Sequence, residues 1–170
     1  MTDKLYRKNG GIGFAINGFD VCLDVFSSNQ NCVDNLNGYE IDDRTISSVV
    51  GLINNLIETY SLKNSIRVKV QSFQPQHSGF GSGTSFSLAC IEGLFLANDI
   101  VLENMKLSKL SERGGTSGIG VNTYFHGGLV FDLGRKTGPL LPSNTCKNFE
   151  APLVLQNIKM PEWEIGVYIP

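Results

Sequence analysis

Residues 65–97 read SIRVKVQSFQPQHSGFGSGTSFSLACIEGLFLA, and their order decides the fold. The first part, 65–73, alternates, with Ile66, Val68 and Val70 on one side, as a half-buried strand does. The last part, 84–97, is a helix whose one charge is Glu92, and a helix apolar over most of its circumference is buried on several sides. Between them Gly79, Gly81 and Gly83 alternate with small or apolar residues. Strand, glycine loop and buried helix, in that order, is the arrangement that builds an anion site, the alternative being that the glycines only make a tight strand-to-helix turn. Glycines adopt positive φ and let main-chain N–H groups converge on one ligand, and the helix start adds free donors and the positive end of its dipole.

Ser82, Thr84 and Ser85 add hydroxyls there, and no carboxylate stands beside them to repel an anion. The pattern differs from two familiar phosphate loops. No lysine occurs between residues 70 and 105, which excludes GxxxxGK[ST], and Thr84 stands where GxGxxG needs its last glycine. No GxSxG nucleophile elbow surrounds Ser82, Ser85 or Ser117.

Outward from this stretch, GIGFAI (11–16) and DVCLDVF (20–26) read as short strands joined by a turn at Asn17-Gly18. The asparagine-rich SSNQNCVDNLNGYE that follows reads as an exposed loop or ragged strand. From Asp42 the period changes: Ile46, Val49, Val50, Ile53, Leu56, Ile57 and Tyr60 mark one face of an amphipathic helix, with Asp42 or Asp43 as its N-cap. Beyond the buried helix, residues 102–113 predict a second helical stretch, GGTSGIGVN a loop, 127–134 a strand, 137–153 a long connection and 162–169 a last strand. Irregular alternation with half-buried strands predicts an α+β fold, helices layered on a mixed or antiparallel sheet.

The chain has 170 residues, 41% hydrophobic and 18% charged, with net charge −2, which fits one domain with a core. The charge forms no basic stripe, so no nucleic-acid partner is expected. No apolar run is long enough for a membrane span, and the N-terminus lacks the apolar centre of a signal peptide, so a cytoplasmic location is expected. Cys22, Cys32, Cys90 and Cys146 form no CxxC pair and read as reduced thiols. His77 and His126 stand far from them in sequence, against a zinc site.

Pro75-x-x-x-Gly79-Phe80-Gly81-Ser82-Gly83-Thr84 is similar to the phosphate loop of the GHMP kinase superfamily. Arg113-Gly114-Gly115-Thr116-Ser117-Gly118-Ile119-Gly120-Val121, then Phe125-His126-Gly127-Gly128-Leu129-Val130-Phe131-Asp132, resemble one branch, the β-ribofuranosylaminobenzene 5'-phosphate synthases. Arg7 to Ile16 looks like the early glycine block of the same branch.

The resemblance implies a ribosomal-protein-S5-domain-2-like layer over residues 1–170, forming a single GHMP kinase-type N-terminal domain. It also implies that the chain is the N-terminal half of such a protein, with a clipped start and without the family's ferredoxin-like C-terminal domain. Gly79, Gly81, Ser82, Gly83 and Thr84 would hold phosphate oxygens, while Arg113, Gly115, Thr116 and Ser117 would form the substrate rim. Arg113 is the catalytic candidate as a cation for a substrate carboxylate, or else a helix-end charge paired with the dipole. His77 would meet an anion or sit exposed, His126 would be structural, and Asp132 would meet a metal or face water.

Where kinases of the superfamily commonly place an aspartate, as SG-x-D, this sequence has Gly120, and residues 113–131 hold no carboxylate. That counts against a kinase. The synthase branch implies phosphoribosyl pyrophosphate as donor, an aminobenzoate or hydroxybenzoate acceptor in methanopterin-type biosynthesis, and Mg²⁺. An ATP-dependent small-molecule kinase and a non-catalytic phosphate-binding domain are the alternatives. A homo-oligomer is open.

Overall fold

The computed structural model describes residues 7–35, 37–76, 78–115, 117–136 and 152–168. Their contacts cluster into two compact units, one of residues 18–111 and one of residues 1–17 with 112–170.

In the first unit, strand β3 (Cys22–Ser28) and strand β4 (Cys32–Asp34) flank strand β5 (Ser65–Ser72). β5 runs antiparallel to β3, with Val68 opposite Val25 and Val70 opposite Leu23, and parallel to β4, with Val68 opposite Val33. The alternation foreseen for β5 is present: Ile66, Val68 and Val70 are buried. Helix α1 (Asp43–Tyr60) is the connection that the parallel pair requires. It starts where the sequence predicts, because Asp42 caps it by accepting from the Arg44 N–H at 3.0 Å. Val49, Ile53 and Leu56 are its buried stripe. It ends at Ser61, whose φ of 50° is left-handed, and the Leu62 N–H closes the end on the Ile57 carbonyl at 3.0 Å.

Helix α2 (Ser82–Leu96) is the central helix, burying Phe86, Leu88, Cys90, Ile91, Leu94 and Phe95. It packs on α1, β3, β5 and the short helix α3 (Asn104–Leu110), which is all the helix present in the predicted 102–113 stretch. The approach to β3 is close enough to demand glycine: a Cβ on Gly93 would stand 2.7 Å from Val25 Cγ2. Phe73 and Phe86 meet edge to face at 5.8 Å, and Tyr60 meets Phe95 in the same way at 5.4 Å. Asn98 fastens the far end of α2. Its amide donates to the Leu94 and Asn64 carbonyls and its Oδ1 accepts from the Lys63 and Asn64 N–H groups.

In the second unit, strand β1 (Arg7–Lys8) pairs with β7 (Arg135–Lys136). Strand β2 (Gly11–Phe14) pairs with β6 (Leu129–Asp132), which pairs with β8 (Val154–Ile158), all antiparallel. Helix α4 (Ile119–His126) lies on β2 and β6, with Ile119 seated over Gly11 and Gly13.

The predicted α+β class stands, and four local expectations do not. The strand of 11–16 is shortened to 11–14 and that of 20–26 is shifted to 22–28, and they pair with β6 and β5 rather than with each other. GGTSGIGVN is no loop beyond Gly118, because the Ser117 hydroxyl accepts the Ile119 N–H at 3.3 Å and starts α4. The buried helix begins two residues earlier than predicted, at Ser82. No strand forms over 162–168, where no partner strand pairs with the alternating residues and Trp163 and Tyr168 stay 68% and 89% exposed. The edge strand lies earlier instead, at β8. Ile169, Cys146, His77 and Thr116 lie outside the described residues.

Candidate functional site

The glycine loop and the start of α2 lie in the first unit. Gly79 (φ 86°) and Gly81 (φ 67°) both hold left-handed backbone, and a Cβ on either would meet nothing within 4 Å. The main chain therefore turns an open side outward at both positions. Gly81 is the N-cap of α2. Its carbonyl takes the Thr84 N–H at 2.9 Å and the Ser85 N–H at 3.0 Å, which tightens the first turn. Among the described residues, the N–H groups of Gly81, Ser82 and Gly83 donate to no main-chain carbonyl, as expected at a helix start. Three successive N–H groups therefore stand at the positive end of a 15-residue helix that has no acidic residue in its first turn.

Side chains hold this loop at its entry and its crown. Gln76 Oε1 accepts the Asp42 N–H at 2.9 Å, while its amide donates to Thr45 Oγ1 at 3.0 Å, so the lead-in is pinned to the start of α1. At the crown, the Phe80 ring stacks on Phe19 at 4.9 Å with planes 11° apart. The Ser82 side chain is buried, and its hydroxyl points to the Pro75 carbonyl at 3.5 Å. Thr84 and Ser85 are half-buried.

The second glycine block lies in the other unit, organised by Asp132. That carboxylate is buried, 3% exposed, and so does not face water. Oδ2 accepts the Ser117 hydroxyl at 2.9 Å and the Gly118 N–H at 2.7 Å, and Oδ1 accepts the Gly134 N–H at 2.7 Å. The Gly115 carbonyl accepts from Arg135 at 3.0 Å, and Arg7 donates twice to the Gly134 carbonyl. Ser117 thus spends its one O–H on Asp132. Arg113 is half-buried, and burial draws its guanidinium below the ordinary arginine value. His126 ends α4 and is exposed.

The fixing residues Gln76 and Phe19 escaped sequence reasoning, and Asp132 was considered for a metal or for solvent and not as an organiser of the second glycine block. Each acts through a partner remote in the chain, and only Asp132, at a strand end behind a glycine block, carried a local signal.

Among the described residues no three His, Cys, Asp or Glu side chains converge on a metal position. A divalent ion here would need phosphate oxygens of a ligand among its own ligands. No helix of the described residues is long and apolar enough to cross a membrane.

Residues 47–128 match the family described as GHMP kinases N terminal domain. Three curated proteins named β-ribofuranosylphenol 5'-phosphate synthase are similar to the chain. That of Methanothermobacter thermautotrophicus is 27% identical over 169 residues, 96% of this chain and 51% of its own. That of Methanocaldococcus jannaschii is 28% identical over 188 aligned positions, covering 100% of this chain and 55% of its own. That of Archaeoglobus fulgidus is 36% identical over 106 residues, 61% of this chain and 34% of its own. The chain thus spans about half the length, or less, of the curated relatives it matches. Among solved structures, homoserine kinase from Cytophaga hutchinsonii shares the fold, with TM-score 0.53 and 20% identity over 72% of this chain and 42% of that one.

Proposed function

We propose, on the premise that residues 47–128 are a GHMP kinase N-terminal domain, that this chain carries the pyrophosphate-binding part of a β-ribofuranosylphenol (or -aminobenzene) 5'-phosphate synthase-type transferase. The observation that supports this most is the in-order similarity of nearly the whole chain to synthases of that name. The geometry suits the chemistry. In the proposed reaction the bond from the ribose anomeric carbon to pyrophosphate breaks, and a bond forms from that carbon to the ring carbon bearing the acceptor's carboxylate. Carbon dioxide then leaves, and the electron pair of its bond returns to the ring.

The demanding moment is departure of pyrophosphate from an oxocarbenium-like sugar, and fixed donors aimed at the leaving charge lower that barrier. The N–H groups of Gly81, Ser82 and Gly83 are such donors, with Gly79 and Thr84 shaping the loop around them. Arg113, with Gly115, Thr116 and Ser117, is proposed for the substrate rim, where a half-buried guanidinium would pair with the acceptor carboxylate. Mg²⁺, when bound to the pyrophosphate, supplies charge neutralisation. The phosphorylated ligand is phosphoribosyl pyrophosphate, and the proposed location is the cytoplasm.

A second reading, an ATP-dependent small-molecule kinase, draws support from the family matched. Against it, Gly120 lies in the first turn of α4 with no carboxylate, and the nearby Asp132 has its oxygens engaged by Ser117, Gly118 and Gly134. Thermal unfolding with Mg²⁺ and either ligand separates the readings, since a ligand that binds the folded state alone raises the melting temperature. A rise with phosphoribosyl pyrophosphate but not ATP is expected. A rise with ATP alone would overturn the synthase reading, and no rise with either would leave a non-catalytic domain.

A further inference from the structure

The crown of the glycine loop has little of its own to hold it. Gly79 and Gly81 carry no side chains, both adopt positive φ, and neither has neighbours where a Cβ would be. Upstream, Gln76 is tied to α1, and downstream the chain enters α2 at Ser82. Between these anchors, the Ser78 hydroxyl makes a local contact of 3.5 Å to the Gln76 carbonyl, and the Phe80 ring stacks face to face on Phe19. Phe19 is itself placed by the core sheet. Its neighbour Asp20 accepts the Ser72 hydroxyl at 2.7 Å on its carbonyl, and Ser72 ends β5. The path therefore runs from β5 through Asp20 to Phe19, and across the stacked rings to the loop.

We propose that Phe19 is a positioning residue for the anion cradle. Through its stack on Phe80 it holds the N–H groups of Gly81, Ser82 and Gly83 in their converging arrangement, without touching the ligand. This rests on the anion-binding reading of the loop given above. A loop with two left-handed glycines has many conformers of similar energy, so convergent donors are costly in entropy unless something outside the loop selects one. A flat aromatic contact does this more tightly than an aliphatic one of equal volume, because offset ring pairs add a directional preference to burial.

The test compares the full chain with Phe19→Leu, which keeps an apolar side chain and removes the ring, and Phe19→Tyr, which keeps the ring. Backbone ¹⁵N relaxation of the unliganded proteins reads loop order directly, and titration with inorganic pyrophosphate reads the cradle. Expected for Phe19→Leu are lower order parameters at Gly79, Gly81 and Ser82, with β5 and the body of α1 unchanged. Pyrophosphate affinity falls about three- to tenfold, and Phe19→Tyr restores both. Unchanged loop order in Phe19→Leu would overturn the positioning role whatever the affinity does. If the parent chain binds no pyrophosphate, the anion reading fails separately, while relaxation still decides whether Phe19 orders the loop.

Discussion

The Asp132 carboxylate accepts the Ser117 hydroxyl at 2.9 Å in a buried setting, so that a strand end and the start of α4 are locked by one charge-assisted bond. The same carboxylate holds two further N–H groups. Asp132→Ala leaves three donors short of their acceptor and is expected to cost about 2–4 kcal/mol, while Ser117→Ala costs about 1 kcal/mol. In urea unfolding, a double-mutant cycle should give a coupling of at least about 0.5 kcal/mol between the two. Simple additivity would show that the bond contributes nothing of its own.

Gly93 is the contact point of α2 on β3. Adding a methyl group there drives it into Val25, 2.7 Å from Cγ2. Gly93→Ala should therefore destabilise by about 1–2 kcal/mol despite alanine's better helix propensity, because overpacking outweighs it. Val25→Ala makes room, so the double variant should lose less than the sum of the singles. Equal or greater stability of Gly93→Ala in a thermal melt would contradict the packing described.

Ser61 adopts φ 50° at the end of α1, a conformation that strains any residue with a Cβ. Ser61→Gly relieves that strain at some cost in unfolded-chain entropy, for a net gain of about 0.5–1 kcal/mol. Chemical denaturation should show the midpoint move upward, and Ser61→Val should move it down.

Cys90 is fully buried in α2, and burial pushes its thiol well above its ordinary value of 9.0. The folded chain keeps this proton at pH values where the unfolded chain releases it. Its contribution to stability is therefore complete below about pH 9 and is lost as pH rises further. The stability difference between the parent and Cys90→Ala should shrink above that pH and stay level below it. In the native protein, a thiol reagent should modify the exposed Cys22 and leave Cys90 untouched.

What the sequence made legible were features with a local cause. Asp42 could be read as a cap and Val49, Ile53 and Leu56 as a stripe, because both signals repeat within a few residues. The glycine loop was legible for the same reason. The pairing partners were not. Nothing in GIGF specifies Asp132, Phe131, Val130 and Leu129 as its neighbours, and the Asn17-Gly18 turn wrongly suggested DVCLDVF. EWEIGVY has strand periodicity but, among the described residues, no strand to pair with, whereas VLQNI has weak periodicity and an available edge on β6. The helix of α4 was hidden by Gly120 within it and Gly118 before it, and rests on the Ser117 hydroxyl that accepts the Ile119 N–H and the fit of Ile119 over Gly13, both visible only in three dimensions.

The second unit is assembled from two stretches of chain, with the whole of the first unit encoded between them. During synthesis, β2 emerges more than a hundred residues before the β6 strand it pairs with. At ~5–20 residues per second that is a delay on the order of 10 s. Residues 18–111 can complete their sheet and helices in that interval, while the unpaired edge bearing Ile12 and Phe14 waits. On the ribosome, then, the chain has one part that can finish early and another that stays open to wrong strand partners until Asp132 has been made.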